Sequence, residues 1–86
     1  MTRNEAIEIV KGEQLKHYNW YEEHDINSNE VGIKEQVNKW FVYSSDEKAN
    51  LITENEFHSE SEALENFIKR LRAMNKLIDW TNDVSS

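Results

Sequence analysis

The fold of this protein is decided by residues 57–78, which read FHSESEALENFIKRLRAMNKLI. The apolar side chains recur at a fixed spacing, at Leu64, Phe67, Ile68 and Leu71. Positions i, i+3, i+4 and i+7 lie on one side of an α-helix, so the segment is predicted to form an amphipathic helix. An apolar helix face is stable only when another layer covers it, and the strands predicted below would supply that layer.

The ends of this helix are also readable. Ser59 and Glu62 fit a capping box, in which the serine hydroxyl accepts a hydrogen bond from the third helical N–H. Glutamates crowd the first turns and lysines and arginines the later ones, an order that the helix macrodipole favours. The helix is therefore predicted from about Glu60 to Leu77 or slightly beyond, and residues 79–86 are expected to be a frayed tail.

A second capping box, Thr2 with Glu5, marks an N-terminal helix. The apolar residues that follow fall near one helical face, which predicts a helix from about Arg3 to His17. Gly12 weakens its interior by roughly 1 kcal/mol relative to alanine, so the helix could end or bend there.

The middle of the chain has the composition of strands. Residues 31–35 and 39–44 are rich in β-branched and aromatic types, and the turn at Asn38-Lys39 between them suits a tight hairpin. A second turn at 45–48 leads to a third strand at 50–53. These segments predict a three-stranded antiparallel meander.

The predicted fold is a single α+β domain spanning residues 1–86. It is a two-layer sandwich in α-β-β-β-α order, with both helices on one face of the sheet. The aromatic segment 18–21 fits either a helix tail or a short strand, and as a strand it would make the antiparallel sheet four-stranded.

Charge limits the class of partner. Seventeen acidic residues against ten basic ones give a net charge of −7, which repels nucleic acid and anionic lipid and attracts basic partners. Double-stranded RNA-binding domains share the predicted element order, but their last helix begins with basic residues. Here it begins with Glu60, Glu62 and Glu65. No stretch is long and apolar enough to span a membrane and no signal peptide is evident, so the protein is expected in the cytoplasm.

The sequence offers little for catalysis or metal binding. It has no cysteine and only two glycines, and its serines lie in predicted caps, turns or the tail. His17, His24 and His58 lack the i, i+4 spacing of a metal-binding helix. We therefore expect neither an enzyme nor a cofactor or metal site.

The aromatic strand raises a question about the open face of the sheet. Trp40 and Val42 point to one face and Phe41 and Tyr43 to the other, because strand neighbours alternate. The helices can cover only one face. Large aromatics on the other face either form a contact surface, or lie under residues 18–30 or the C-terminal tail.

Two motifs in the second half of the chain resemble those of a known family. The first runs Trp40-x-Val42-Tyr43-x-x-Asp46-Glu47-Lys48, and the second Phe57-x-Ser59-x-x-Glu62-Ala63-Leu64-x-x-Phe67-Ile68. Together with Glu5-Ala6-x-Glu8-Ile9 and Gly32-Ile33-Lys34-Glu35, they make residues 2–75 similar to the immunity protein 59 family, small proteins of bacterial polymorphic toxin systems. Asn38-Lys39 departs from the pattern, since a glycine-containing turn is expected there.

This resemblance implies a cytoplasmic antidote that binds and blocks a cognate toxin domain, which we expect to be basic. The alternative is a small adaptor or regulatory protein of a mobile element that forms a homodimer through its open sheet face. A small-molecule-binding domain is disfavoured, because so small a core leaves little room for a pocket.

The partner-binding surface is predicted from charge and aromatic placement alone, in the segments 20–30 and 40–47. An unbroken acidic block lies close in sequence to a tryptophan, and the second predicted strand with its turn adds a tyrosine and two more acids. The predicted partner-binding residues are Trp20, Glu22, Glu23, Asp25, Glu30, Tyr43, Asp46 and Glu47.

Overall fold

Two helices flank four strands along the chain. The computed structural model describes the backbone of residues 1–85 and the side chains of residues 1–78. The elements are α1 (Arg3–Gly12), β1 (Tyr18–Trp20), β2 (Val31–Gln36), β3 (Lys39–Ser45), β4 (Leu51–Phe57) and α2 (Glu60–Ser85). In the part of the chain so described, no helix is both long and apolar enough to cross a membrane.

The strands form one sheet in the order β1-β2-β3-β4. The antiparallel meander is confirmed in β2, β3 and β4, and the open question at 18–21 is answered by a fourth strand. The expectation of a purely antiparallel sheet is wrong, because β1 pairs parallel to β2, with Tyr18 opposite Val31. After Trp20 the chain returns along the sheet through residues 21–30 before β2 begins, so both strands run the same way.

The α+β prediction is confirmed by a core between the sheet and the helices. The buried apolar side chains, all 2% exposed or less, are Ala6 and Val10 of α1, Val31 and Ile33 of β2, Val42 of β3, and Ala63, Leu64, Phe67, Ile68 and Leu71 of α2. These form one cluster, which places both helices on the face of the sheet that carries Val42. The stripe predicted on the last helix is thus the centre of the core.

The hairpin between β2 and β3 has a two-residue loop made of Val37 and Asn38, one residue earlier than the predicted turn at Asn38-Lys39, because Lys39 pairs with Gln36 and already belongs to β3. Their φ angles are 50° and 61°, in the left-handed region that matches the twist of a hairpin. Glycine and asparagine adopt this region readily, whereas a β-branched side chain is strained in it. Val37 is also 91% exposed, so the strain is not offset by burial.

Helix α1 forms the predicted capping box but ends earlier than the predicted His17, at Gly12. Gln14 and His17 then take φ angles of 54° and 67°, which turn the chain toward β1. The Asn75 side chain holds the turned segment against α2, accepting from the Lys16 amide at 2.7 Å and donating to the Lys16 carbonyl at 2.8 Å.

Helix α2 extends further than the sequence predicts, to Ser85. Its start agrees with the predicted cap, since the Glu62 amide donates to Ser59 Oγ at 3.4 Å. Ser86 and the side chains of residues 79–85 lie outside the described part, so the frayed tail remains a prediction.

Candidate protein-binding surface

Residues 21–30 form a loop across the face of the sheet that the helices leave open. The side chain of Asn19 links this loop to the sheet. Its Nδ2 donates both to the His24 carbonyl, in the loop, and to Tyr43 Oη, in β3, each at 2.8 Å. Asn19 itself is buried; its bond to Tyr43 is shielded from water, and its bond to the His24 carbonyl is partly shielded. The acidic side chains that remain exposed on this loop are those of Glu22, Glu23 and Asp25.

Tyr43 and Glu30 form a buried pair next to the loop. Tyr43 Oη donates to Glu30 Oε2 at 2.8 Å, and each residue is 2% exposed. The ring lies against Gly32, where a Cβ atom would come within 2.1 Å of it, so only glycine fits at that position. Burial, and then the bond to Glu30, raise the pKa of the Tyr43 phenol, which keeps it a donor. Aromatic residues on the open face were predicted either to form a contact surface or to lie under another segment of the chain. Tyr43 lies under such a segment.

His24 closes the loop with both ring nitrogens. Nδ1 lies 2.7 Å from the Asp25 carbonyl oxygen, and Nε2 lies 3.1 Å from that of Tyr18 and 3.8 Å from Glu30 Oε1. Carbonyl oxygens only accept hydrogen bonds, and a neutral imidazole has a single N–H. The geometry therefore fits the imidazolium, and the bonds to Asp25 and Tyr18, assisted by the charge of Glu30, raise the pKa of His24.

The turn between β3 and β4 is tied to the end of this loop. Ser45 Oγ donates to the Asn27 carbonyl at 2.6 Å and accepts from the Glu30 amide at 3.0 Å. The Asn29 amide donates to the Asp46 carbonyl at 2.9 Å. These bonds make the 21–30 loop and the 46–50 turn one connected surface.

Asp46 shapes the turn as well as adding charge. Its Oδ1 accepts from the amides of Lys48, at 2.8 Å, and Asn50, at 2.9 Å. The bonds to Asn50 and Lys48 stabilise the carboxylate and lower the pKa of Asp46. Glu47 is exposed on the same turn.

A cleft of about 330 Å³ opens beside Tyr43. Carboxylates and a histidine line it together with one apolar side chain, that of Ile26, which is 39% exposed. The lining residues are Asn19, Glu22, His24, Asp25, Ile26 and Tyr43. Its chemistry suits a cationic side chain that carries an aliphatic stem.

The structure divides the predicted binding residues into two groups. The 21–30 loop carries Glu22, Glu23 and Asp25, and the 46–50 turn that is bonded to it carries Asp46 and Glu47; we call these five residues the acidic surface. Glu30 and Tyr43 are buried next to it, and Trp20 is half-buried on the opposite face, 5.8 Å from the Phe67 ring. For these three residues a contact role remains a prediction, and in the free protein their contacts are internal.

Sequence reasoning missed Asn19 and His24 as the residues that position this surface. Its acidic composition was visible, but the loop depends on bonds between residues that local patterns do not connect. Tyr21 and Glu22 adopt left-handed φ angles of 49° and 58°, and neither residue is a glycine, so the sequence did not indicate this turn.

Of the acidic residues at the start of α2, Glu60 is bound within the protein. Glu60 Oε2 accepts from Arg3 Nε at 2.7 Å, Tyr21 Oη at 2.9 Å and Trp40 Nε1 at 3.1 Å. Partial burial opposes ionisation, but the bonds from Arg3 and Tyr21 outweigh it and lower the pKa of Glu60. This carboxylate joins α1, the loop, β3 and α2, and so has a structural role.

Within residues 1–78, whose side chains are described, no group of three or more histidine, aspartate or glutamate side chains could hold a metal ion.

The family model described as immunity protein 59 matches residues 2–80, nearly the whole chain. No curated protein and no solved structure matches the sequence.

Proposed function

The chain belongs to the immunity protein 59 family, and we propose that it binds a cognate bacterial toxin domain by direct contact and neutralises it in the cytoplasm. The observation that carries the proposal is the family match, which covers both the core and the acidic surface. An immunity protein protects by holding its toxin in an inactive complex, so the site to identify is a protein-binding surface.

Charge supports a basic toxin domain as the partner. The chain has a net charge of −7, and five carboxylates lie on the acidic surface. A basic partner would be steered toward such a surface, which raises the association rate to as much as 10⁸–10⁹ M⁻¹s⁻¹ at low salt. Fast capture suits an antidote, because the free toxin is harmful.

The surface is also organised before binding. Buried hydrogen bonds that Asn19 and Tyr43 donate and that Ser45 accepts hold its two segments in place. Segments that are already ordered lose less conformational entropy on binding, which leaves more of the contact energy as affinity.

The test is a protection experiment with the cognate toxin domain, to be sought among the genes beside this one. We would replace Glu22 and Glu23 by Gln and Asp25 by Asn together, and separately change Asp46→Asn and Glu47→Gln. The first set should weaken binding by about 2–5 kcal/mol if its charges are desolvated in the complex, mainly through faster dissociation. Growth of toxin-expressing cells and affinity at two salt concentrations are the readouts.

The control removes three negative charges elsewhere, by changing Glu8, Glu62 and Glu65 to Gln. All three are exposed on the helices, across the sheet from the acidic surface. Through long-range steering, this variant should alter only the association rate and its salt dependence. The assignment of the acidic surface fails if both of its variants protect like the wild type, and the proposed function fails if the wild-type protein neither binds nor protects.

A further inference from the structure

Strand β4 is an edge strand with little cover on either side. The sheet order ends at β4, and of its seven residues only Phe57 is even partly buried. Leu51 and Ile52 are 45% and 63% exposed, so two adjacent large apolar side chains of the strand lie open to solvent. A long exposed edge presents unpaired backbone groups that can accept another strand.

The outward-facing backbone groups of β4 can be identified. At the end of β3, the Ser45 amide donates toward β2, to the Glu30 carbonyl, at 2.9 Å. Backbone groups alternate sides along a strand, so the even-numbered residues of β3 bond to β4. With Val42 opposite Asn55, the register leaves the N–H and C=O groups of Glu54 and Glu56 pointing away from the sheet.

The charges on this edge favour a basic partner strand. Glu54 and Glu56 sit on the open face, and Lys34 of β2 and Lys39 of β3 lie beside them at 3.0 and 3.2 Å. The sheet thus ends in two glutamates, each with a lysine on its inner side. Lysines on an added strand would lie on the outer side of Glu54 and Glu56, so that each glutamate would have a lysine on both sides. Pairs of opposite charge on neighbouring strands stabilise a sheet.

A second copy of the chain fits the edge poorly. Antiparallel pairing of two β4 strands centred on Glu54 would place that residue opposite its own copy. Pairing centred on Asn55 would place Glu54 opposite Glu56 of the other chain. Like charges directly opposite each other destabilise a sheet, so both of these registers are disfavoured.

We propose that β4 is a docking edge that binds an extended, basic strand of a partner protein by adding it to the sheet as a fifth strand. Main-chain hydrogen bonds to Glu54 and Glu56 supply affinity, as in other strand-addition complexes. The carboxylates of the same residues select lysine or arginine on the strand. The identification of that strand as part of the toxin rests on the proposed function, and β4 follows directly from the turn that carries Asp46 and Glu47.

The test of the edge itself uses peptides and the intact protein. The probe is a capped seven-residue peptide in which lysine alternates with valine or threonine, and its counterpart has glutamate in place of lysine. In ¹H–¹⁵N NMR titrations the lysine peptide should shift the amides of residues 51–57 and slow hydrogen exchange at Glu54 and Glu56. The inference is overturned if β4 amides do not respond, if both peptides act alike, or if only the loop at 22–25 responds.

Variants separate backbone pairing from charge. Glu56→Pro removes an outward N–H, a change that edge strands tolerate, while Glu56→Ala removes only the side chain. We expect peptide affinity to fall about tenfold with proline and about two- to threefold with alanine, from the ordinary net value of one hydrogen bond and one exposed charge pair. Should the proline variant fail to fold, Glu54→Gln with Glu56→Gln still decides the question, since it must abolish the preference for lysine over glutamate peptide.

The toxin assay keeps the two proposals distinguishable. If the wild type and Glu56→Pro protect cells equally, toxin docking on β4 is wrong and the proposed function stands. If the wild type itself does not protect, the proposed function is wrong, and the peptide titrations alone decide whether β4 accepts a basic strand. Concentration-dependent dimerisation of the free protein through β4, measured by sedimentation, would also overturn the inference.

Discussion

The change Tyr43→Phe tests whether the buried pair holds the acidic loop in place. It deletes one oxygen and leaves the ring against Gly32. Tyr43 Oη makes two bonds, to Glu30 Oε2 and from Asn19 Nδ2, both at 2.8 Å. A hydrogen bond to a charged group is worth about 1.5–3 kcal/mol, and the amide of Asn19 loses one of its two acceptors. We therefore expect a loss of about 2–4 kcal/mol of unfolding free energy.

The assay is urea unfolding followed by tryptophan fluorescence, with a thermal melt as a second measure. For a domain of this size the loss corresponds to a fall in Tm on the order of 10–25 °C. Tyr18→Phe is the matched control, because no described residue bonds the Tyr18 hydroxyl, and it should cost less than about 0.5 kcal/mol. Combining Tyr43→Phe with Glu30→Gln in a double-mutant cycle should show coupling of about 1 kcal/mol or more.

A stability change for Tyr43→Phe within about 0.5 kcal/mol of zero would refute the reasoning. It would mean that water replaces the lost partner, and hence that the loop does not seal Tyr43 from solvent. Additive effects in the cycle would equally show that the phenol and the Glu30 carboxylate do not interact.

Two other stability predictions follow from backbone and charge. Changing Val37→Asn together with Asn38→Gly gives the Asn-Gly pair that suits two left-handed residues, and should raise the unfolding free energy by about 1–2 kcal/mol in urea titrations. The pKa of His24 is raised in the folded protein above its ordinary value of 6.5 by bonds to the carbonyls of Asp25 and Tyr18. The stability it contributes is complete below pH 6.5 and is lost as pH rises through the higher folded pKa. The melting temperature of the wild type relative to His24→Gln should therefore fall as the pH rises above about 6.5, and a constant difference would contradict the imidazolium.

Local sequence patterns were sufficient for the helices and the hairpins. The capping box of α1 forms with both reciprocal bonds, Glu5 N to Thr2 Oγ1 at 3.2 Å and Thr2 N to Glu5 Oε1 at 3.1 Å. These features involve residues three or four positions apart, whose contact is set by helix geometry alone. The hairpin was predicted to within one residue, with its turn at Asn38-Lys39 where the structure has Val37 and Asn38, because adjacent strands joined by a short loop pair antiparallel.

The bounds of the helices were less certain. Gly12 was a candidate end for α1, but nothing local showed that Gln14 and His17 would adopt left-handed φ angles and leave the helix. The energy that permits this comes from elsewhere, through the bonds of Asn75 to the backbone of Lys16, 59 residues away.

What the sequence by itself determined is the α+β class, the amphipathic face of α2, the antiparallel meander and the acidity of the segment 21–30. Only the tertiary structure decided which acidic residues of that segment are exposed and which are buried. Because β1 lies parallel to β2, the chain must return across the sheet, and this return covers Tyr43 and buries Glu30 beside it. Parallel pairing depends on hydrogen bonds between distant residues, such as Val31 N to the His17 carbonyl at 3.0 Å. No residue near β1 in sequence specifies its strand partner, so only the assembled sheet could show which acids face solvent and which are buried.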